Sequence, residues 1–459
     1  MKPRGELAIV LHTHMPYVEG FGTWPFGEEW LWEAIATSYL PLLDVLGRAP
    51  VTLSLTPVLC DQLEAPGAIE RCLSFLTEIR PESHRLDIEG FRREGQGAVV
   101  AELERSDSEY AAAAAQLSAL GPGGLLAALG KHASWTSAAT HPVLPLLAGD
   151  TFAALQVQTG IASHRRRFGK WEGGFWMPEC AHEPWLDEVL EEAGVRSTCV
   201  ELTGRFGLGD PRHLGPLATN AGPVLWPIDR KVIALVWSDG GYPASGAYRN
   251  YHALTERHHR AWDNDGREYD HGAATALAAE HASDFVARVR DRTSDGGVCV
   301  CALDTELLGH WWYEGVIWLR QVVEEAERQG LELTTLDDAL ERHEPAPAPA
   351  DLGATSWGDG GDLRTWSGPA VADLAWAARS AEVRALALGV RPSDRVLREL
   401  LALQSSDWAF LASRGTAGPY ARERARGHAE AFERALLDGA GGAEPALRNL
   451  APELEGWPG

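Results

Sequence analysis

Short apolar runs alternate along this chain with longer segments of helical periodicity. Runs typical of buried strands fall at residues 6–12, 51–55, 174–177, 197–201, 231–237, 298–303 and 331–335. Helical segments lie between them, including Trp30 to Leu46 and the stretch from Ala68 to Leu120. Strands that alternate with helices predict a parallel sheet with both faces covered, and therefore an α/β barrel or an open doubly wound sheet.

A proline-rich segment marks the best boundary in the chain. Residues Glu344 to Ala350 read Glu-Pro-Ala-Pro-Ala-Pro-Ala, which predicts a stiff linker. With 459 residues, the chain can hold a large barrel and a second part. We therefore expect a barrel domain over residues 1–343 and a helical domain over residues 351–459. The helices expected in the second domain are 371–388, 395–411 and 420–437.

The net charge of the chain limits the classes of partner that it can bind. Lys and Arg number 41 against 65 Asp and Glu, which gives a net charge of −24. A nucleic acid or an anionic membrane would repel such a surface, so neither is expected as a partner. A neutral substrate suits this balance, although acidity that serves only solubility is an open alternative.

The N-terminal segment and the cysteines indicate the cellular compartment of the protein. The apolar run from Leu7 to Leu11 stops at His12, so we expect neither a signal peptide nor a membrane span there. The six cysteines form no Cys-x-x-Cys pair and show no metal-ligand spacing. Reduced thiols in a cytoplasmic protein are the simplest interpretation.

The first polar motif after a strand is His12-Thr-His14-Met-Pro16. Side chains two residues apart at a strand end point to the same side, so the two imidazoles can bind one pair of hydroxyls or a carboxylate. As a metal site the pair lacks a third ligand nearby, and no metal is expected. Two histidines that are merely satisfied structural residues remain the alternative.

Two further strands end at carboxylates. The run from Gly174 delivers Glu179, with the indole of Trp176 and the imidazole of His182 on either side. The run from Val298 delivers Asp304, followed by a polar and aromatic cluster that contains His310. A surface Glu after a strand and an Asp that caps a helix are the structural alternatives. Two carboxylates from different strands among aromatic side chains match the requirements of glycosidic-bond chemistry.

The retaining form of this chemistry gives the two carboxylates different tasks. One attacks the anomeric carbon, while the other protonates the leaving oxygen and later activates the acceptor. The 18 tryptophans fit a sugar ligand, because an indole stacks on the apolar face of a sugar ring. Trp24 and Trp30 lie near the first motif, but Trp32, Trp311, Trp312 and Trp318 are candidates for core packing.

These motifs resemble glycoside hydrolase family 57, and the resemblance covers nearly the whole chain. Five segments carry it in family order: His12 to Pro16, Thr140 to Leu146, Trp176 to Cys180, Leu303 to His310 and Ser356 to Gly358. Within the family, the chain is most similar to the 1,4-α-glucan branching enzymes. Residues 28–35, 236–243 and 403–408 carry that closer similarity.

The resemblance implies a fold and a set of roles. It implies a distorted (β/α)7 barrel with a helical insertion and an all-helical C-terminal domain that contributes to the substrate cleft. It implies that Glu179 is the nucleophile and Asp304 the acid/base. No metal or organic cofactor is implied, and the substrate is an α-glucan polysaccharide. The residues expected to bind the sugar are His12, His14, His141, Trp176, His310, Trp357, Asp407 and Trp408.

The chain departs from the branching-enzyme pattern at three places. Glu183-Pro-Trp185 replaces a more usual Arg-Pro-Gly or Tyr-Pro-Gly, and Ser367-Gly368 follows Trp366 where Leu-Asn is usual. The span from Glu179 to Asp304 is also shorter than is usual for the group, which points to loops near the acceptor. Two alternatives therefore stay open: an α-amylase or 4-α-glucanotransferase on the same scaffold, and a glucan-binding protein without catalysis.

Overall fold

A computed structural model describes residues 5–23 and 26–438 of the chain. Trp24 and the last part of the predicted C-terminal domain, 439–459, lie outside the described residues. The strands are β1 (Gly5–Thr13), β2 (Thr52–Leu55), β3 (Ala133–Ser137), β4 (Gly174–Trp176), β5 (Ser197–Val200), β6 (Leu217–Ala218), β7 (Val224–Pro227), β8 (Gly297–Asp304), β9 (Glu332–Thr334) and β10 (Ala346–Pro347).

The helices of the first 343 residues cover the sheet and form the insertion. They are α1 (Glu28–Ala34), α2 (Leu40–Leu46), α3 (Pro57–Leu63), α4 (Ala68–Ser74), α5 (Arg80–Arg93), α6 (Gly97–Leu120), α7 (Gly124–Gly130), α8 (Asp150–Phe168), α9 (Leu186–Glu192), α10 (Thr203–Phe206), α11 (Arg230–Ile233), α12 (His271–Arg292), α13 (Gly315–Gln329) and α14 (Leu336–Leu340). Turns of π-helix at Ile35–Tyr39 and Phe75–Ile79 join α1 to α2 and α4 to α5.

The remaining helices follow the proline-rich segment. They are α15 (Arg364–Ser367), α16 (Ala372–Leu386), α17 (Asp394–Leu403), α18 (Ser406–Arg414) and α19 (Tyr420–Asp438). Single turns of 3-10 helix lie at Leu144–Leu146, Pro178–Cys180, Pro211–Leu214, Tyr242–Ala244, Thr305–Leu307 and Asp359–Gly361.

Seven parallel strands form the barrel, in the spatial order β7-β5-β4-β3-β2-β1-β8. The gap between its two ends is bridged just beyond β7, where the Asp229 N–H donates to the Val300 carbonyl over 2.9 Å. A buried ion pair between Arg292 and Asp229, at 2.7 Å, holds the same point. The predicted distorted (β/α)7 barrel is confirmed, and the helical insertion is α4 to α7, between β2 and β3.

The two longest strands of the barrel, β1 and β8, are apolar on both faces, as parallel strands under helices require. The side chains from Leu7 to Leu11 in β1 and from Val298 to Leu303 in β8 are all buried. Cys299 and Cys301 lie within β8, and all six cysteines are buried and free. Cysteines alternate with valines in β8, and because all of them are buried they serve packing in this sheet.

The predicted strand at 231–237 is wrong. The strand lies upstream, at β7, and the apolar residues that follow it begin α11 instead. The Asp229 carboxylate accepts a hydrogen bond from the Lys231 N–H, which caps the helix and starts it at this point. The sequence also gave no indication of β3, β6 and β10, because the first is rich in Ser and Thr and the others have two residues each.

The predicted single helix at 395–411 is also wrong. It is two helices, α17 and α18, which separate at Gln404 and Ser405. The backbone there turns to pair with the barrel: the Ser406 N–H donates to the His141 carbonyl at 2.9 Å, and Ser405 forms a bridge with Pro142. The helices predicted at 371–388 and 420–437 correspond to α16 and α19.

The proline-rich segment is part of the sheet. Ala346 and Pro347, which form β10, pair in parallel with β6 at the edge of the sheet. The Ala346 and Ala348 N–H groups donate to the carbonyls of Pro216 and Ala218. The domain boundary predicted at 344–350 stays a prediction, but the segment itself is held to β6 by these backbone hydrogen bonds.

The length and composition of the helices bear on membrane insertion. No single helix among the described residues is long and apolar enough to cross a bilayer. One bent pair, Gly97–Leu120 with Gly124–Gly130 at 85°, passes the same criteria only when its two helices are taken together.

Candidate active site

The strand ends that carry the predicted motifs are neighbours in the sheet. His12 is in register with Asp304 of β8 on one side and with Ser54 of β2 on the other. Further round the barrel, Ser137 of β3 is in register with Trp176 of β4. Because all these strands are parallel, their carboxyl ends meet at one face, where barrel enzymes build their active sites.

Glu179 sits in the 3-10 turn that follows β4 and has a left-handed backbone, with φ 62° and ψ 20°. Its carboxylate accepts two hydrogen bonds of 2.8 Å, from Trp357 Nε1 to Oε2 and from Ser406 Oγ to Oε1. The backbone carbonyl of Glu179 accepts a third hydrogen bond, from the backbone N–H of Trp357 at 3.0 Å. Both carboxylate donors come from beyond the proline-rich segment, so the C-terminal part of the chain completes the site.

Backbone strain collects at this site. His141, Glu179 and Cys180 have φ angles of 59°, 62° and 47°. Only four non-glycine residues in the described parts of the chain have a positive φ, and three of them are here. Such a conformation costs about 1–3 kcal/mol for each residue, and it is typical of functional sites. The strain aims the side chains of His141 and Glu179 toward one another, with His141 Nδ1 at 3.7 Å from Glu179 Oε1.

Three histidines form a stack beside Glu179. The rings of His14 and His141 lie 4.1 Å apart, and those of His12 and His141 lie 4.8 Å apart. His12 Nε2 and His141 Nε2 are within hydrogen-bond distance, at 2.9 Å. His14 Nε2 contacts both carboxylate oxygens of Asp407, at 3.0 and 3.1 Å. The structure therefore brings together His12, His14, His141 and Asp407 from the predicted set.

Asp304 ends β8 and keeps part of its surface accessible, unlike the buried residues that precede it. Glu306 follows in a 3-10 turn and is buried. The Glu306 carboxylate accepts hydrogen bonds from the Tyr39 hydroxyl at 2.7 Å and from the His14 N–H at 3.1 Å. A second carboxylate is therefore fixed close to Asp304.

The predicted tryptophans have different surroundings. Trp176 is buried under the histidines, with its ring 4.7 Å from that of His12 and 5.2 Å from that of Trp357. Trp357 is half-buried and donates to Glu179. Trp408 is buried among the C-terminal helices, donates its indole N–H to the Ala402 carbonyl at 2.8 Å, and lines a cavity of about 220 Å³ behind Ser405 and Ser406.

His310 stands apart from the carboxylate pair. Its ring neighbours are Tyr251, at 6.0 Å, and the adjacent Trp311, at 5.4 Å. Trp311 is half-exposed and lies over Tyr251 at 4.5 Å, whereas Trp312 and Trp318 are buried, as packing residues are. The sugar contact predicted for His310 stays a prediction.

Two known families match parts of this chain, and a relative matches it over nearly its full length. Residues 126–349 match Glycosyl hydrolase family 57, and residues 371–451 match the C-terminal domain of 1,4-alpha-glucan branching enzymes. A probable 1,4-alpha-glucan branching enzyme of Mycobacterium tuberculosis is 31% identical over 519 aligned positions, which cover 99% of this chain and 95% of the relative. The chain belongs to glycosyl hydrolase family 57.

Solved structures of the family agree with this assignment. A family 57 branching enzyme from Pyrococcus horikoshii superposes with a TM-score of 0.87 at 30% identity, over 98% of this chain and 94% of that one. A second branching enzyme, from Thermococcus kodakarensis, superposes with a TM-score of 0.84 at 29% identity, over 95% and 90% of the two chains.

The surroundings of Glu179 and Asp304 in this family 57 site shift the pKa values of the two carboxyl groups to different extents. Burial raises the pKa of Glu179, but the hydrogen bonds from Trp357 and Ser406 lower it in part. Burial, with the charges of Glu306 and Glu179, raises the pKa of Asp304 well above its usual value. Two neighbouring carboxylates whose pKa values are pushed apart can serve as an ionised nucleophile and a protonated acid.

The three histidines also differ in protonation. Burial, reinforced by neighbouring histidines, lowers the pKa of His12 and of His141 well below the ordinary value, so both imidazoles are neutral. Burial opposes protonation of His14 as well, but the charge and hydrogen bond of Asp407 outweigh it and raise the pKa of His14. His14 is therefore the member of the stack that takes up a proton most readily.

Several site residues escaped the sequence prediction. Ser54 and Thr56, at the end of β2, contact His12 Nδ1 at 2.8 Å and His14 Nδ1 at 3.1 Å. Ser406 contacts Glu179, and Tyr39 contacts Glu306. The only available signal was position, because Ser54 and Thr56 end a strand next to the His12 motif. Ser406 precedes Asp407 in a segment already linked to the site.

A metal ion finds no ready site here. No group of three or more His, Cys, Asp or Glu side chains in residues 5–23 and 26–438 is arranged to hold one. The imidazole nitrogens of the stack are instead engaged by hydroxyls, by one another and by Asp407. The arrangement suits acid/base and nucleophilic chemistry by side chains alone.

Proposed function

We propose that this protein is a retaining 1,4-α-glucan branching enzyme. The observation that carries the proposal is the origin of the side chains around Glu179. Ser406 and Asp407 lie within residues 371–451, which match the C-terminal domain of branching enzymes, and they contact Glu179 and His14. The branching-type domain is therefore part of the catalytic site itself.

The first half of the reaction breaks an α-1,4 bond. Asp304, whose raised pKa keeps it protonated, gives its proton to the leaving glycosidic oxygen. The ionised Glu179 carboxylate attacks the anomeric carbon, and a covalent glucosyl-enzyme forms as the C1–O bond breaks. The cleaved chain leaves with a new 4-hydroxyl, and Asp304 is left as a carboxylate.

The second half transfers the bound chain. The Asp304 carboxylate now takes the proton from a glucan 6-hydroxyl, whose oxygen attacks C1 and displaces Glu179. This step returns both residues to their starting states and forms an α-1,6 branch. Transfer wins over hydrolysis only if water is kept away from the intermediate. Trp357 and the segment from Ser405 to Asp407 cover Glu179 from the C-terminal side and serve this exclusion.

The side chains around the carboxylates suit a substrate that is uncharged and rich in hydroxyl groups. His12, His14, His141 and Trp357 surround the carboxylates and provide hydrogen-bond partners and an aromatic surface for a glucosyl unit. The net charge of −24 suits an uncharged α-glucan. The six free, buried cysteines suit a reducing compartment, and we place the enzyme in the cytoplasm.

Incubation with amylose tests the proposed function. The purified protein is expected to generate α-1,6 linkages, detected by linkage-resolved NMR, with little increase in reducing ends. Treatment of the product with a debranching enzyme is expected to release new short chains. The Glu179→Gln variant, prepared in parallel, excludes contaminating activities. Product that yields no short chains after debranching would show that the enzyme does not branch.

Hydrolysis or 4-α-glucan transfer on the same site is the second candidate. The short span between Glu179 and Asp304 favours it, because a reduced loop near the acceptor would admit water or a different hydroxyl. The same amylose experiment separates the candidates. Reducing ends that rise without α-1,6 signals indicate hydrolysis, and redistributed linear chain lengths indicate 4-α-glucan transfer.

Replacement of Glu306 by Gln is expected to shift the alkaline limb of the pH–rate profile to lower pH. Burial raises the pKa of Glu306 to about 7, so above that pH it is a carboxylate. Its negative charge makes ionisation of Asp304 less favourable and raises the pKa of Asp304. Without that charge Asp304 loses its proton at lower pH, and activity falls there too.

The measurement for Glu306→Gln is kcat/KM between pH 5 and 10, with Glu332→Gln as the matched control. Glu332 is exposed and lies in β9, at the opposite end of β1 from His12 and His14. An alkaline limb that stays in place in Glu306→Gln, or moves equally in Glu332→Gln, would mean that Glu306 does not hold the proton on Asp304.

A further inference from the structure

Four consecutive hydrogen bonds connect the end of β2 to Glu179. Ser54 Oγ lies 2.8 Å from His12 Nδ1, and His12 Nε2 lies 2.9 Å from His141 Nε2. His141 Nδ1 lies 2.9 Å from Ser406 Oγ, which lies 2.8 Å from Glu179 Oε1. All five side chains are buried. The line crosses from the barrel into the C-terminal part of the chain without a break.

The direction of these hydrogen bonds follows from the chemistry of their ends. An ionised Glu179 can only accept, so the Ser406 hydroxyl donates its single hydrogen to the carboxylate. Ser406 Oγ must then accept from His141 Nδ1–H. A neutral imidazole carries one N–H, so His141 Nε2 is left as an acceptor.

The same logic continues to the other end. His12 must supply the hydrogen between the two imidazoles, and therefore carries it on Nε2. His12 Nδ1 is then an acceptor, and Ser54 donates to it. Both histidines are neutral because burial lowers their pKa, so neither has a second proton that would break this pattern. Every donor in the line points toward Glu179.

We infer that these four side chains form a one-directional chain of donors that keeps the Glu179 carboxylate ionised and oriented, with Ser54 as the positioning residue at its origin. Aligned hydrogen bonds polarise one another, so the last donor in the line is strengthened by those behind it. This role rests on the proposed function only in requiring Glu179 to act as an ionised nucleophile.

The surroundings of Glu179 explain why such a chain has an effect. The charged and titratable groups that face it are His14, Asp407, Asp304 and His141. His14 supports the negative charge of Glu179, but Asp407 opposes it. Among these opposed charges, a chain of neutral donors stabilises the carboxylate without placing another cation beside Asp304, which has to stay protonated.

The tautomers of His12 and His141 test the chain without any assay of activity. Nitrogen NMR on protein labelled with ¹⁵N-histidine, assigned by single replacements, distinguishes Nδ1–H from Nε2–H imidazoles. We expect the Nε2–H form for His12 and the Nδ1–H form for His141. The opposite pair of tautomers, or a protonated imidazolium at either residue near neutral pH, would overturn the inference even if branching activity is confirmed.

The kinetic test removes the origin of the chain. In Ser54→Ala the acid limb of kcat/KM is expected to move to higher pH, because Glu179 loses donor support and takes up a proton more readily. KM at the pH optimum is expected to change little. Thr136→Val is the matched control: the buried Thr136 hydroxyl, in β3 of the same barrel, donates to the Gly160 carbonyl and lies outside the chain of donors.

The outcomes of the kinetic test are distinct from those of the functional test. An acid limb in Ser54→Ala that coincides with that of Thr136→Val would overturn the inference. Ser54→Thr, which retains the hydroxyl, is expected to restore the original limb, and a failure to restore it would count against a role of the donor itself. Failure of the proposed function would instead appear as a product that yields no short chains after debranching, an outcome that depends neither on the tautomers nor on the acid limb of Ser54→Ala.

Discussion

Replacement of Glu179 by Gln is expected to lower kcat for the cleavage of α-glucans by about 10⁴-fold or more, because no other group can form the covalent intermediate. A loss of that size corresponds to about 5.5 kcal/mol of transition-state stabilisation. Affinity for the glucan is expected to change far less, since the histidines and Trp357 that surround the sugar are unchanged. The measurement is the initial rate on amylose, with KM determined separately.

The glutamine side chain fits the site without distortion. Its carbonyl can accept from Trp357 Nε1, as Oε2 of Glu179 does. Its amide N–H can donate to Ser406 Oγ, because a hydroxyl can turn from donor to acceptor. The variant is therefore expected to fold as the parent does, which circular dichroism and the melting temperature will check. If Glu179→Gln proves inactive because it is unfolded, the Glu179→Gly variant with azide tests the role of Glu179 instead.

Azide distinguishes a nucleophile from any other essential residue. In Glu179→Gly, azide can enter the space of the lost carboxylate and attack C1 of an activated α-maltosyl fluoride directly. Fluoride leaves, one C–N bond forms, and the product is a glycosyl azide of inverted configuration. Recovery of an azide product with retained configuration would mean that another residue of this chain still forms the covalent intermediate.

The architecture was accessible from the sequence because its cause is local. The alternation of apolar runs with helical segments identified the strands β1, β2, β4, β5, β8 and β9, and the polar residues after β1, β4 and β8 indicated the face at which the proposed site lies. These features depend on periodicity and on strand ends, which are properties of short segments. Glu179 and Asp304 were predicted as the catalytic pair because each is the carboxylate that ends its run, and that role stays a prediction.

The break between α17 and α18 was not accessible in the same way. The apolar spacing continues across Gln404 and Ser405, because Leu400 and Trp408 both pack against the same core. What interrupts the helix is a competitor for its backbone, the His141 carbonyl, which receives the Ser406 N–H. The pair Ser405-Ser406 resembles a helix start and could have indicated the break, but only the barrel decides where it falls.

The donor chain that reaches Glu179 was the least predictable feature. Its members come from β2, β1, the loop after β3 and the start of α18, and no spacing in the sequence relates them. The left-handed backbone at Glu179 is equally hidden, since a non-glycine residue seldom adopts a positive φ and glutamate is not among the types enriched there. Side-chain geometry of this kind depends on tertiary contacts, which composition and periodicity do not contain.

Replacement of Asp304 by Ala is expected to affect substrates unequally, according to how much help their leaving group needs. Cleavage of amylose should fall by about 10²–10⁴-fold, because the leaving sugar oxygen loses its proton donor. Formation of the maltosyl-enzyme from α-maltosyl fluoride should be nearly unaffected, because fluoride departs without protonation. A burst of fluoride followed by a slow steady state would show that the second step then limits turnover.

The product with azide completes the assignment of Asp304. In Asp304→Ala the intermediate on Glu179 still forms, and azide needs no general base to attack it. Two inversions then yield a glycosyl azide of retained configuration, opposite to that expected from Glu179→Gly. The carboxylates are thereby separated by stereochemistry and not by the size of a rate loss. An Asp304→Ala variant that loses amylose and α-maltosyl fluoride activity equally would mean that Asp304 orients the substrate, and another acid would have to be sought.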